Sequence, residues 1–514
     1  MGKYYIGFDA GTQSVKVALY SIDMEMIAEA SHPTEISYPH PGWAELHVDQ
    51  YVEALKAGLK DVVKLATEKG VDLHDIRAIF GDGIICGITG IDEDGNALTA
   101  HINYMDSRTA EDAQELTDKG YTIWAEETGN PTPNCMFPAM FARWFLKNSK
   151  EFQERGKKFV HNAPYMLMKL AGLKAEDAFI DWGAMSGWGL GYNVYKKEWS
   201  KEQLDILGID HSYMPKIVKP WDIVGNLTEE MAREVGLPAG IPICAGAGDT
   251  MESMIGCGLT GAGQAADVAG TAAMFCVATD GIVPSLSKPG SGLIFNSGTL
   301  PDTYFYWGYI RTGGLALRWF RDNICDKIDD NTYYDQLSDR AAKIPVGSNG
   351  TLFLPYLTGG NEDIANASGA FLNVSANTDQ ATLWRSVLEA IGYEYMRVTD
   401  TYRAGGVKLD KITITEGGSR SELWNQIKAD MLNSEVKTLK KAGGAITTNI
   451  AVAAYAVGDV DDLQKAAQDT LEIKKIYKPN PDNTKYYRKV YELRDHLIRT
   501  DLSPAFDQLQ KIQN

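Results

Sequence analysis

Apolar and polar positions alternate with a period that changes twice within the first ninety residues. Residues 4–20, YYIGFDAGTQSVKVALY, read as an apolar strand, a turn built on Asp9, Gly11, Thr12 and Ser14, and a second strand through Val15, Val17 and Leu19. From Asp49, a residue suited to an N-cap, Tyr51, Leu55, Leu59, Val62 and Ala66 recur at helical spacing until Gly70. Ile76 to Phe80 then predicts a strand, Gly81-Asp82-Gly83 a turn, Ile84 to Ile91 a further strand, and Asp92-Glu93-Asp94-Gly95 a hairpin turn. Strands and helices interleaved in this way predict an α/β fold with a mixed sheet.

Between about Gly120 and Trp221 the pattern is irregular and aromatic, which predicts insertions presenting substrate-facing surface. A Gly/Ala-rich stretch, Ala245 to Gly263, follows. Gln264 to Val277 then repeats the opening theme of strand, Gly/Thr turn and strand. That echo predicts two domains of like architecture, residues 1–250 and 251–514, facing each other across a cleft. Later, Asp379 starts a helix through Leu383, Val387, Ile391, Tyr395 and Val398. Ile412 to Thr415 reads as a strand running into Glu416-Gly417-Gly418-Ser419, and Ser421 as the cap of a helix carrying Trp424, Ile427 and Met431. Leu471 to Asn514 reads as charged and helical.

Size and charge narrow the options. At 514 residues the chain exceeds what one core supports. A formal net charge of −18 argues against a nucleic-acid or anionic-membrane surface, because such partners require a cationic footprint. Six scattered cysteines, without a CxxC pair or a histidine cluster, predict reduced thiols rather than zinc or disulfide frameworks. No long apolar run and no charged leader is present, so a cytoplasmic protein without a membrane span is expected, and Ile6 stands where myristoylation prefers Ser or Thr.

The chemistry concentrates in two places. A carboxylate among small residues, Asp249 in Cys244-Ala245-Gly246-Ala247-Gly248-Asp249-Thr250, suits proton abstraction; a helix N-cap is its structural alternative. The Asp9 to Ser14 turn can hold phosphate through backbone N–H groups and hydroxyls, with Asp9 orienting a magnesium-bound water; otherwise it merely joins strands. Gly417-Gly418 after a strand leaves room for a flat nucleoside. Asp82 offers either a sugar contact or a β-turn residue, Asp106 and Arg108 either a sugar-site loop or an ion pair, and Trp182, Trp188 and Tyr192 either a stacking surface or a small core. Cys86 reads as a buried apolar residue.

Four stretches in a fixed order, YIGFDAGTQSVKVALY, PGWAE at Pro41 to Glu45, GAGDT, and GGSRSELWNQIKADML, resemble the FGGY family of carbohydrate kinases over Tyr4 to about Gly458. The resemblance implies two ribonuclease-H-like, actin-like ATPase domains flanking a deep cleft, with ATP and Mg²⁺ between them and a sugar on the first-domain side. It implies Asp249 as general base and Asp9 as organiser of magnesium and the transferred phosphoryl group. Thr12, Gln13, Ser14 and Lys16 then belong to the first phosphate turn, Gly270 and Thr271 to the second, and Gly417, Gly418 and Ser419 to the adenosine border. Asp82, Ile85, Cys86, Asp106 and Asp249 become the sugar-side candidates. The acceptor implied is a small ketose such as xylulose, with ribulose, erythritol, glycerol, gluconate or an autoinducer-type ketose as alternatives. An actin-like ATPase moving a protein partner is the alternative of another class, and a homodimer stays open. Two departures mark the sugar pocket: Ile84-Ile85-Cys86-Gly87 replaces the Gln-Met-His-Gly of D-xylulose enzymes, and Thr358 to Asp363 replaces Gly-Glu-Arg-Thr-Pro.

Overall fold

Two seven-stranded mixed sheets carry the chain, each an antiparallel meander extended on one side by parallel strands. The computed structural model describes residues 2–513 with the exception of 271–272, 311, 361–363, 365, 410, 416 and 441–443. In the first sheet Tyr4–Ala10 pairs antiparallel with Ser14–Ser21, which pairs with Met26–Pro33. On its other side Tyr4–Ala10 runs parallel to Ile76–Gly83, which runs parallel to Pro242–Cys244, and Ile223–Asn226 closes that edge antiparallel. The second sheet repeats the scheme. Gln264–Ala269, Ala273–Thr279, Tyr304–Ile310 and Leu293–Ser297 form the meander; Lys411–Thr415 and Glu435–Leu439 add in parallel, and Ile473–Tyr477 adds antiparallel.

Three local readings are corrected by tertiary pairing. Gly81-Asp82-Gly83 is not a turn but the end of the Ile76–Gly83 strand, because each residue is matched by one of Phe8, Asp9 and Ala10 on the parallel neighbour. The first long helix, Val48–Glu68, is capped at His47; Asp49 lies inside its first turn and accepts a hydrogen bond from the Tyr165 hydroxyl at 2.7 Å. The closing segment is not wholly helical, since Ile473–Tyr477 is drawn onto the sheet edge before the helix Pro481–His496 begins. Elsewhere local chemistry decides: Asp379 caps Gln380–Ala404 through the Thr382 N–H, and Ser421 caps Glu422–Leu432 through that of Trp424.

Helices cross between the two halves. Asp249–Gly256, from the end of the first half, buries Met251 and Met254 among Ala266, Cys276 and Trp307 of the second sheet. In return Ala445–Ala456, from the second half, buries Ile450 and Ala453 against Tyr5, Ala78 and Phe80 of the first. Burying such side chains contributes about 1.5–3 kcal/mol each, so each half is stabilised by an element of the other.

Of the aromatics in the segment between Gly120 and Trp221, Trp182, Trp188 and Tyr192 build a small core rather than a stacking surface. Trp188 and Tyr192 are fully buried and Trp182 nearly so. This segment clasps the Leu293–Ser297 strand instead: the Asn130 carboxamide accepts from the Phe295 N–H at 2.9 Å and donates to the Phe295 carbonyl at 3.1 Å. Trp182 Nε1 donates to the Gly298 carbonyl at 3.1 Å, and Ser186 Oγ accepts from the Ser297 N–H at 3.0 Å. Among the described residues no helix is long and apolar enough to cross a membrane, and no disulfide forms.

Candidate active site

Three carboxylates gather where neighbouring strands of the first sheet end. Asp9 and Asp82 are register partners on parallel strands, so their side chains leave the same face. Ala247 pairs with Asp82 and Gly248 with Gly83, which brings Asp249 out at the same end as the first residue of the Asp249–Gly256 helix. Gly246 makes this entry possible. Its φ is +79°, and a Cβ there would lie 2.2 Å from the Gly81 carbonyl oxygen, so a side chain would drive the two strands apart. The N-cap itself is Gly248, one residue ahead of Asp249.

Crowding of like charge in a poorly solvated place sets the proton affinities. Burial, then the neighbouring Asp9 charge, pushes Asp249 up to about 7, against the opposing pull of hydrogen bonds from Thr250 and the Ile85 backbone. Asp9 is also raised, by burial, while a hydrogen bond with Asp82 and the opposite Lys16 hold it down. Asp82 is raised well above the usual carboxylate range by complete burial and then by Asp9. Glu252, on the helix that Asp249 starts, is fully buried, takes a hydrogen bond from Thr299 Oγ1 at 2.5 Å, and is pushed up to about 8 by burial. A carboxylate poised near neutrality can take a proton from a hydroxyl at physiological pH.

On one side of these acids lies the turn after Asp9. The Thr12 carbonyl accepts from the Tyr51 hydroxyl at 3.2 Å, and the Gln13 carbonyl accepts from the Thr34 N–H at 2.9 Å, which pins the loop from beneath. Gln13 is exposed, Ser14 begins the return strand, and Lys16 is exposed as the register partner of Asp9. In the second half, the Gly270 carbonyl accepts from the Gly314 N–H at 2.9 Å; Thr271 lies outside the described residues. Gly417 to Arg420 form a single helical turn in which a Cβ on Gly418 would lie 2.3 Å from that of Ala269. Gly418 therefore sits directly against the strand that leads into Gly270, while Gly417 is exposed. The Ser419 carbonyl accepts from Asn425 Nδ2 at 2.8 Å.

The other side is more apolar. Ile85 packs so closely that a Cβ on Gly248 would lie 2.1 Å from Ile85 Cγ2, and Cys86 is buried, its thiol pushed up to about 12 by burial and then by Asp249. Asp82, expected to meet a sugar hydroxyl, is fully buried and held by Asn449 Nδ2 at 2.5 Å. Asp106 is likewise buried. Its oxygens take the Ala44 N–H at 2.7 Å and the Arg108 guanidinium, and that guanidinium lies 3.7 Å over the Trp43 ring, so the pair anchors the Pro41 to Glu45 stretch.

Four further residues were not singled out by spacing. Glu252 and Asn449 carry no motif, and only the packing of their helices brings them here. Tyr104, two residues before Asp106, shares a hydrogen bond of 3.2 Å with Thr12 Oγ1. Tyr309, on the Tyr304–Ile310 strand, keeps about half its side chain exposed, and its phenol is pushed up to about 12 by partial burial and then by Cys86, with Tyr104, Cys276 and Asp249 contributing less.

Two sheets of one topology, glycine turns in both, and acids at the strand ends between them define an ATP-dependent phosphotransferase with the actin-like ATPase fold. The chain belongs to the FGGY family of carbohydrate kinases: residues 4–256 match its N-terminal domain and residues 265–457 its C-terminal domain. Among relatives, a xylulose kinase of Staphylococcus epidermidis is 26% identical over 506 residues, covering 96% of each chain. A gluconokinase of Bacillus subtilis is 25% identical over 513 residues, covering 97% of this chain and 96% of the relative. The crystal structure of xylulose kinase from Rhodospirillum rubrum aligns with a TM-score of 0.85 and 25% identity, covering 98% of this chain and all of that one. The protein is thus a sugar kinase that takes its phosphate from ATP.

Proposed function

We propose that the acceptor is a pentulose of the xylulose type and that Asp249 is the general base for transfer to one of its terminal hydroxyls. The observation that carries the role of Asp249 is its position: a half-buried carboxylate at the join of the two halves, beside Asp9, with a proton affinity near neutrality. Phosphoryl transfer requires in-line alignment and compensation of charge on the equatorial oxygens more than covalent chemistry. Backbone N–H groups of the turn at Thr12 to Ser14 supply donors to phosphate, Gly270 enters the second phosphate turn with its own N–H donated to the Val268 carbonyl at 3.0 Å, and Gly417, Gly418 and Ser419 border the base and ribose. Asp249 takes the acceptor proton as its oxygen closes on phosphorus.

Asp9 suits Mg²⁺, because this ion is commonly held by one or two carboxylates together with substrate phosphates and water, and bound there it would offset charge on the phosphates.

Support for xylulose over gluconate comes from relatives such as the xylulose kinases of Staphylococcus epidermidis and Bacillus subtilis, and from the apolar Ile85 and Cys86, which offer no cation to a sugar-acid carboxylate. A coupled ADP-release screen over ketopentoses, pentitols, glycerol, gluconate and deoxyketoses tests the reading. Xylulose should give the largest kcat/KM; a larger value for gluconate would replace the pentulose with a sugar acid.

A further inference from the structure

The least expected contact near the acids comes from the far end of the chain. Asn449 lies in Ala445–Ala456, the helix that comes after the Glu435–Leu439 strand of the second half, yet its side chain is fully buried in the first. Its Nδ2 donates to Asp82 Oδ2 at 2.5 Å and to the Phe8 carbonyl at 3.1 Å. Phe8 immediately precedes Asp9, and Asp82 is the register partner of Asp9. One carboxamide therefore grips both the strand that carries Asp9 and the strand beside it. The helix reaches this depth because Gly7 has no side chain: a Cβ there would meet Ile446 Cγ2 at 3.0 Å and Ile450 Cδ1 at 3.2 Å.

A purely structural amide would have its remaining hydrogen-bonding capacity met. Here Asn449 Oδ1 is buried and has no partner among the described residues, although a buried polar atom left unpaired costs about 1–3 kcal/mol. Such a cost is tolerated at sites where geometry is under functional constraint.

We infer that Asn449 is a positioning residue for phosphoryl transfer, fixing Asp9 through the Phe8 carbonyl and Asp82 so that a helix of the second half sets the geometry of the first-domain acids. It touches neither substrate. The inference rests on the proposed role of Asp9 and adds a residue through which the second half governs the first.

The test compares Asn449→Ala, Asp82→Ala and the double variant with the wild-type chain, measuring kcat and KM for sugar and ATP, sugar-independent ATP hydrolysis, and Tm. A misplaced reacting group typically lowers turnover about ten- to a hundred-fold. Asn449→Ala should therefore lose that much kcat, with sugar KM nearly unchanged and idle ATP hydrolysis lowered in step. The double variant should lose less than the product of the two single losses, because both residues bear on the placement of Asp9. Asn449→Thr, which keeps a single hydroxyl donor of shorter reach, provides the same comparison should the alanine variant fail to fold, and it should recover part of the kcat. The inference is overturned if Asn449→Ala loses only Tm while keeping kcat, or if the two single losses multiply. Failure of the base or pentulose assignments would appear separately, in the wild-type sugar panel and in Asp249 variants. The ATP-hydrolysis readout tests Asn449 in either event.

Discussion

Thr250 donates twice to the same oxygen of Asp249, from its backbone N–H at 2.5 Å and from its hydroxyl at 3.1 Å. That oxygen is thereby engaged and the other is left to receive a proton. The arrangement orients the carboxylate and at the same time holds its proton affinity down against burial.

Asp249→Asn should reduce sugar phosphorylation about 10²–10⁴-fold, the usual contribution of a general base, while nucleotide affinity changes little. Steady-state rates together with titration of a fluorescent ATP analogue check this. In the wild type, kcat/KM should fall as pH drops through about 7, where the free enzyme's Asp249 becomes protonated.

Thr250→Val removes the hydroxyl donor and keeps the volume. Losing a hydrogen bond to the ionised form raises a carboxylate's pKa, so the acidic limb of the pH profile should move to higher pH, by roughly 0.5–1 unit. An unmoved limb would detach this titration from Asp249.

Stability should depend on the same group with the opposite sign. The folded state binds the Asp249 proton more tightly than the unfolded chain, whose ordinary value is 3.8. Its contribution is therefore full below that value and is lost as pH rises through about 7. Asp249→Asn escapes that loss. Relative to wild type it should gain stability between pH 4 and pH 8, on the order of 1 kcal/mol once partial solvent exposure is allowed for, read from denaturant midpoints at both pH values.

Gly418→Ala should raise KM for ATP more than KM for sugar. The added methyl would overlap Ala269, so the Gly417 to Arg420 turn must lift from the strand leading to Gly270. Overpacking of this kind costs about 1–3 kcal/mol. A variant with wild-type ATP KM would move the adenosine border elsewhere.

Asp267→Ala should destabilise the chain without any specific effect on the reacting groups. Lys428 Nζ lies 2.5 Å from Asp267, both side chains are buried, and Tyr395 donates to the same carboxylate. Removing one member of a buried pair commonly costs 3–5 kcal/mol, about as much as a core cavity. Chemical denaturation checks the size, and sugar KM in the folded fraction should be unchanged.

Local signals made much of this legible. The Asp9 to Ser14 turn, the repeat at Gln264 to Val277, the caps at Asp379 and Ser421 and the entry at Gly246 to Asp249 each depend on residues close together in sequence, so spacing conveys them. Gly81-Asp82-Gly83 misled because glycine and aspartate favour turns locally, whereas two parallel neighbours hold them extended. Asp82 gave no sign of its burial, since the Asn449 side chain that engages it arrives through tertiary packing, whereas the ion pair of Asp106 with Arg108 is local and stood among the readings of the sequence. Asn449 is separated from Asp82 by 367 residues, and nothing in the polarity of its own helix marks it.

The Leu293–Ser297 strand lies at one margin of the second sheet, where the Asn130 carboxamide occupies both backbone groups of Phe295. The opposite margin, Ile473–Tyr477, has no further strand beside it among the described residues and has Ile473 and Ile476 exposed, but Lys474 and Lys475, the latter paired with Glu422 at 2.9 Å, stand between them. Unpaired margins recruit strands from other molecules, and covering by the chain itself or by lysine charge are two known deterrents. One border is thus guarded by fold and the other by repulsion, so neutralising Lys474 and Lys475 would leave a catalytically intact protein that is prone to precipitate.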